Sequence, residues 1–351
     1  MPTPSSSAGS AKETQPPSQL PPEAQLYQLG LGFMVTAALH EMLEAGIADK
    51  LDAGPKPVAE LARATGLNED ALYRTLRALA TLGVFTETQP RTFANTPVSE
   101  PMRHDSGPMR GMLAFITNPL HLRSFAHFHH SMTTGETIVE AGLGHKMIWD
   151  YFGANPDEAR VFDDAMTSMS AAVMPAVLAT YDFSGIGTLV DVAGGHGFVL
   201  TSILEKYPPM RGVLFDMERV CVGARERIKK IGMEGRVRVE SGDFFQAVPQ
   251  GDAIVMKHII HDWADAEARK ILETCHRALP AHGKLILMET VLQPGNAPDL
   301  GKWIDLEMLA FPGGRERTEA EFRALFASAG FKLTKVTPNQ SPLAAIEAVK
   351  A

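Results

Sequence analysis

His261 is the residue whose neighbours best equip it to move a proton. The preceding run DAIVMKHII is apolar and β-rich with few turn formers, while ADAEARKILETCHRAL has Ile271, Leu272 and Leu279 at helical spacing. That pattern predicts His261 at the end of a buried strand, where the chain switches into helix. Open α/β sheets bind ligands outside the carboxyl ends of their strands, so a titratable imidazole there is suited to general-base chemistry. A second chemical signal is the glycine cluster DVAGGHG, Asp191 to Gly197, between another strand and its helix, where a ligand can approach the backbone closely. As a dinucleotide fingerprint it is poor, because counting from Gly195 and Gly197 puts the third glycine position on Leu200. Asp216 ends the next strand at about the spacing from which a carboxylate reaches ribose hydroxyls. Glycine-rich turn and Asp216 together suggest an adenosyl group rather than a pyrophosphate.

The elements that must position these residues follow from the pattern after Thr188. TLVDVAGG, RGVLFDM, VRVESGD, DAIVMKHII, KLILMETV, FKLTKVTPN and LAAIEAVKA read as strands, most of them separated by helices. This predicts an α/β fold with a mostly parallel, Rossmann-like sheet covered on both faces. The Ser341–Pro342 link between the last two strands is too short for a parallel crossover, so the sheet should end in an antiparallel hairpin. Upstream, residues 1–22 are rich in Ser and Pro and read as a disordered tail. Residues 23–105 read as a mainly helical unit in winged-helix order: VAELARATGL, a turn, NEDALYRTLRALATLG and a β-like VFTETQPRTFANT. Leu72, Leu76 and Leu79 recur at helical spacing behind Asn68 as N-cap. Residues 106–180 carry aromatic and Met-rich helices expected to shape a pocket, and residues 181–351 form the cofactor-binding catalytic domain.

Composition narrows the classes. The 351 residues carry a formal net charge of −8, which offers no electrostatic footprint for nucleic acid. The apolar run Leu29 to Leu39 is far short of the ~20 residues that span a bilayer, and reads as a buried helix. Cys221 and Cys275 have no CxxC spacing, consistent with reduced thiols in the cytoplasm. His121, His127, His129 and His130 cluster without an interleaved carboxylate or cysteine, so a pocket rim or a surface cluster is expected rather than a metal site. His258 reads as space-filling, and the many methionines as core or an adaptable pocket wall.

The series LVDVAGGHG, FDMERV, GDFF, MKHIIHDW, METVLQPG and PGGRERT, in this order and approximate spacing, resembles the cation-independent S-adenosylmethionine-dependent O-methyltransferases of the plant caffeic-acid and hydroxyindole type, with their bacterial small-molecule members. The resemblance covers nearly everything after the tail. It implies a homodimer built through a winged-helix-like dimerisation domain, S-adenosyl-L-methionine as cofactor, a small aromatic hydroxyl-bearing substrate, and no metal. Residue by residue it implies His261 as base flanked by Glu289 and Glu316. Gly195 would belong to the cofactor loop with Asp191 and Gly197, Asp216 to the ribose hydroxyls, Asp243 and Phe244 to the adenine edge and face, and Lys257 to the adenine region. Ser170 would lie near the methyl donor, and Phe162, Met166 and Met308 in the substrate pocket. Two positions depart from the family pattern: Ala193 stands where glycine is common and should fit if its φ is negative, and His196 replaces a small residue.

A phenol of pKa ~10 giving its proton to an imidazole of pKa ~6.5 faces an uphill transfer of roughly 5 kcal/mol, which a concerted reaction and a carboxylate on the far ring nitrogen both reduce. Glu289 is expected in that role, with Glu316 assisting. Two other classes use similar folds. A ligand-sensing winged-helix regulator would need a basic recognition helix, whereas NEDALYRTLRAL offers Arg74 and Arg77 beside Glu69 and Asp70. A nicotinamide oxidoreductase is disfavoured by the broken glycine fingerprint and the antiparallel ending. A family member diverged to other chemistry is disfavoured by retention of His261 with both glutamates.

Overall fold

In the computed structural model, residues 21–105 and 107–351 are described. The expected tail lies outside them save for its last two positions, and Pro22 already opens a helix, Pro22–Gly30. The N-terminal unit follows the winged-helix order. Helices Gly32–Glu44, Val58–Thr65 and Glu69–Ala80 surround a small sheet of β1 (Lys56–Pro57), β2 (Phe85–Gln89) and β3 (Thr92–Asn95), in the order β1-β3-β2. Leu72, Leu76 and Leu79 point inward against Leu61, Phe85 and Phe93, as their spacing requires. Asn68 caps its helix, accepting the Ala71 N–H at 3.0 Å. The run Leu29 to Leu39 is not one continuous helix. It is broken between two helices, and Leu29, Phe33 and Met34 are more than half exposed on the single chain, so its apolar face is not buried by this protomer.

Six helices fill residues 109–180, ending in the long Pro156–Thr180, whose first half faces the aromatic cluster of Phe152, Phe162 and Trp149 and whose second half packs on the large sheet through Val173, Met174 and Val177. That sheet comprises β4 (Thr188–Val192), β5 (Arg211–Asp216), β6 (Val237–Ser241), β7 (Ala253–Lys257), β8 (Lys284–Glu289), β9 (Phe331–Thr337) and β10 (Ala344–Lys350), in the order β6-β5-β4-β7-β8-β10-β9. β4 to β8 pair in parallel, and β10 is antiparallel to both β8 and β9. The hairpin across Ser341–Pro342 therefore forms as the short link demands. Burial on both faces explains why the strands read as continuous apolar runs. In β7, Ile254 and Met256 face the core under helices Asp265–Ala278 and Glu319–Ser328, while Ala253 and Val255 face the core on the other side. Because β4 to β8 all run one way, their carboxyl ends line up Asp191, Asp216, Ser241, Lys257 and Glu289 along one edge. No helix among the described residues is long and apolar enough to cross a membrane.

Asn68→Ala should remove one capping hydrogen bond and lower the stability of the N-terminal unit by about 1 kcal/mol, read as a lower urea midpoint.

Candidate active site

A cavity of about 540 Å³ opens at that edge of the sheet. Its floor is the turn after β4. The amide of Gly195, which has φ +57, donates to Asp216 Oδ2 at 2.9 Å, and nothing stands within 4 Å of where a Cβ would be, so this backbone is open to a ligand. Asp216 also accepts the Met217 N–H through Oδ1, and burial raises its pKa against these two bonds. Beyond β6, Asp243 holds its own loop by accepting from Phe245 N–H and Gln246 Nε2, and Phe244 turns into the cavity wall beside Trp263. Ser170, Met166 and Phe162 reach the opposite wall from the long helix, with Ser170 Oγ bonded to the Met166 carbonyl at 2.7 Å. A backbone free of side chains, a carboxylate at the strand end and an aromatic face beside a second carboxylate form the donor and acceptor set that an adenosyl group fits.

Three residues singled out by the sequence are placed as follows. Ala193 has φ +55, not negative, so a Cβ is held in a left-handed conformation that favours glycine. Gly197 does not line the cavity. It stands at the N-cap of helix Phe198–Lys206 in a left-handed turn, and its contribution is to the turn. Met308 is buried away from the cavity lining, where its carbonyl accepts the N–H groups of Gly313 and Gly314. His196 does line the cavity and packs over Gly223, where an added Cβ would meet its Nε2 at 3.1 Å.

At the other end of the edge a buried histidine stands among carboxylates. The strand ends at Lys257 and His261 follows in a 3-10 turn, Ile260–Asp262, one turn later than the apolar run suggested. His261 is 6% exposed and stands behind the wall formed by His258, Ile259 and Asp262. Its Nδ1 is 2.7 Å from Glu316 Oε1 and 3.8 Å from Glu289 Oε2, and its Nε2 is 3.5 Å from Asp262 Oδ1. The two glutamates thus exchange their expected roles. Glu316 makes the hydrogen bond to the ring, while Glu289 uses Oε1 to accept the Ile259 and Ile260 N–H groups and shapes the turn that carries the ring. Burial is the largest single influence on His261 and lowers its pKa, but the charges of Glu289, Asp262 and Glu316 together outweigh it and take the pKa up to about 9. Burial pushes Asp262 up to about 7, against the pull of protonated His261. Lys257 lines the cavity, and burial lowers its pKa to about 8 against the opposing charges of Glu289, Asp191 and Asp262.

Sequence reasoning left out the residues that hold this geometry. Arg317 is fully buried and binds the Ile260 and Trp263 carbonyls and Asp265 Oδ1, clamping the His261 turn. Asp305 Oδ1 accepts the Glu316 N–H at 2.7 Å, and the Arg315 N–H donates to the His261 carbonyl at 2.8 Å. Gly314 lies so close that a Cβ would stand 2.0 Å from the His261 carbonyl oxygen. The available signal was the double glycine of PGGRERT: Gly314 makes this contact and Gly313 has φ +84. His121 pairs with Glu307 at 2.7 Å and His130 with Glu136 at 3.5 Å, so these two members of the histidine cluster have separate partners. Among the described residues, the group with metal-ligand proximity is His258, His261 and Glu289. The two rings are stacked at 14°, however, and in-plane lone pairs on nearly parallel rings do not converge on one ion.

A seven-stranded sheet with one antiparallel strand, an adenosyl-type cavity and a buried imidazole beside it define a small-molecule methyltransferase of class I architecture. Comparison with known proteins agrees. Residues 125–332 match the O-methyltransferase domain family and residues 27–102 the O-methyltransferase dimerisation domain family. The phenazine O-methyltransferase PhzM of Lysobacter antibioticus is 39% identical over 94% of this chain and 96% of its own length. The crystal structure of LaPhzM superposes with a TM-score of 0.88, covering 95% of this chain and 100% of that one at 39% identity. The structure of NcsB1, from neocarzinostatin biosynthesis, in complex with S-adenosylmethionine and 2-hydroxy-5-methyl naphthoic acid, gives a TM-score of 0.78 at 29% identity, covering 90% and 96% of the two chains. The chain belongs to the O-methyltransferase family and is an S-adenosylmethionine-dependent enzyme with a dimerisation domain.

Gly314→Ala should push the 312–318 loop off the His261 turn. The expected result is a loss of about 1–3 kcal/mol in stability and on the order of 100-fold in turnover, with the N-terminal unit's own unfolding unchanged.

Proposed function

We propose that the enzyme methylates a phenolic hydroxyl of a small fused aromatic molecule, with His261 as general base. The observation that carries this reading is the 2.7 Å contact between His261 Nδ1 and Glu316, which leaves Nε2, 3.5 Å from Asp262 Oδ1, as the ring nitrogen not tied to a glutamate. Bound S-adenosylmethionine supplies a methyl group on a sulfonium that already carries a good leaving group, so the protein's tasks are alignment, exclusion of water and removal of one proton. Asp216 and Asp243 would hold the adenosyl hydroxyls and base, with Phe244 on the adenine face, Gly195 under the ligand and Ser170 opposite; Asp191 braces the turn by accepting the Leu200 N–H. Phe162, Met166 and Trp149 would cover an aromatic acceptor, a class consistent with the phenazine and naphthoic-acid ligands of the relatives. A pKa raised to about 9 on His261 brings it closer to that of a simple phenol and makes the proton transfer less uphill than to an ordinary imidazole. Lys257 adds positive charge beside the three carboxylates and keeps their excess negative charge in check.

The same reading assigns residues 23–105 to dimerisation, 106–180 to the pocket and 181–351 to cofactor binding and catalysis. The exposed Leu26, Leu29 and Phe33 supply an apolar face for a second copy, making a homodimer. No nucleic-acid partner is part of it, and two free buried thiols suit the reducing cytoplasm.

His261→Ala should lower methyl transfer to a hydroxyphenazine by ~10²–10⁴-fold with S-adenosylmethionine affinity retained. Wild-type turnover by the folded variant would remove His261 from the reaction. The base must be neutral to accept a proton, and its pKa is raised to about 9, so kcat/KM for an un-ionised phenol should climb with pH from 6 toward 9 and level off above it. A flat profile over that range would show that this imidazole does not take the proton. Asp216→Ala should weaken cofactor binding by ~1.5–3 kcal/mol in calorimetry, the scale of hydrogen bonds to a charged group.

A further inference from the structure

His258 is one of three non-glycine residues with positive φ among the described residues, at +54. A bulky residue is held there only where its surroundings insist, and such strain clusters at functional sites. Its amide still continues the β7 to β8 pairing by donating to the Met288 carbonyl at 3.1 Å. The left-handed turn thus begins immediately after the last ladder bond and folds the side chain back on the following residues. The imidazole stacks on that of His261, with ring centroids 4.6 Å apart and planes 14° from parallel, and the residue also lines the cavity. Its Nε2 is buried without a hydrogen-bond partner.

From this geometry, and resting on the reading of His261 as base, we infer that His258 is a positioning residue: its ring is a neutral plate that fixes the plane of the His261 imidazole and supports the positive charge that ring acquires. The charges around the pair favour that division. Burial, Lys257 and His261 itself hold His258 well below the usual histidine pKa, whereas His261 is held up by Glu289 from β8, Asp262 from its own turn and Glu316 from the 312–318 loop. Asp191, at the end of β4, faces Lys257. One ring therefore stays neutral while its neighbour takes the proton, and a neutral aromatic face over a cation is an attractive pair. With Nδ1 tied to Glu316, the His261 ring retains rotation about one axis, and a plate at 4.6 Å blocks it.

The test compares His258→Asn, which removes the face, with His258→Phe, which keeps a face and removes both nitrogens, in the full-length protein. Two readouts are used: turnover of a hydroxyphenazine at saturating S-adenosylmethionine, and the titration of His261 by NMR in histidine-labelled protein without acceptor. The Asn variant is expected to lose about tenfold in kcat with cofactor affinity unchanged, and to lower the proton affinity of His261 by about 3- to 10-fold. The Phe variant is expected to recover most of both. An Asn variant with wild-type kcat and wild-type His261 titration would overturn the inference, as would a folded Phe variant as impaired as Asn, since the nitrogen rather than the face would then matter. If the wild type itself does not methylate the phenol, the acceptor assignment fails, and the NMR titration alone decides the role of His258. Should Phe not fold, the Asn variant decides by the same two readouts.

Discussion

Everything at the catalytic edge depends on keeping one imidazole out of water among carboxylates. Burial alone would make His261 a weak base, because a charged ring loses its hydration. Glu316, Glu289 and Asp262 reverse that effect, and the reversal works only at contact distances, 2.7 to 3.8 Å. The surrounding structure can be understood as the means of holding those distances. Arg317 ties the turn that carries the ring, Asp305 ties the backbone that carries Glu316, and Gly314 removes the side chain that would keep the two apart.

Such an arrangement opposes stability. His261, Asp262 and Asp191 all have folded-state pKa values above their ordinary ones, so each contributes stability at low pH that is lost as pH rises through about 7 for the aspartates and about 9 for the histidine. Lys257 has the opposite sign: its pKa is depressed to about 8, so its contribution returns only as the medium becomes more alkaline. Glu289 Oε2 and Glu316 Oε2 are also buried with no hydrogen-bond partner. The left-handed backbone at Ala193 and His258 adds strain at the cofactor loop and beside the base. The two cores that sandwich the sheet support these costs, and the site occupies the one edge where five parallel strands end together.

Much of this could be read from the chain. The seven strands, the winged-helix order, the Asn68 cap and the hairpin follow from local rules: period, capping chemistry and the length of a link. They were legible because each depends on neighbours within a dozen residues. The face of Leu29, Phe33 and Met34 is exposed on the single chain: an apolar run states only that something covers it, not whether the cover is the same chain.

The amino-acid sequence by itself determined the identities of the candidate site groups: an imidazole, two glutamates, a glycine turn and an aspartate at a strand end. Tertiary structure decided which carboxylate touches the ring. Glu289 and Glu316 lie 28 and 55 residues from His261, and nothing local distinguishes them until the 312–318 loop docks. It also decided that Lys257 lines the cavity, that Gly197 caps a helix, that Met308 is buried, and that His258 turns back onto His261. Each of these rests on a distance between elements far apart in sequence, or on a backbone angle imposed by packing, and neither quantity is encoded in residue type.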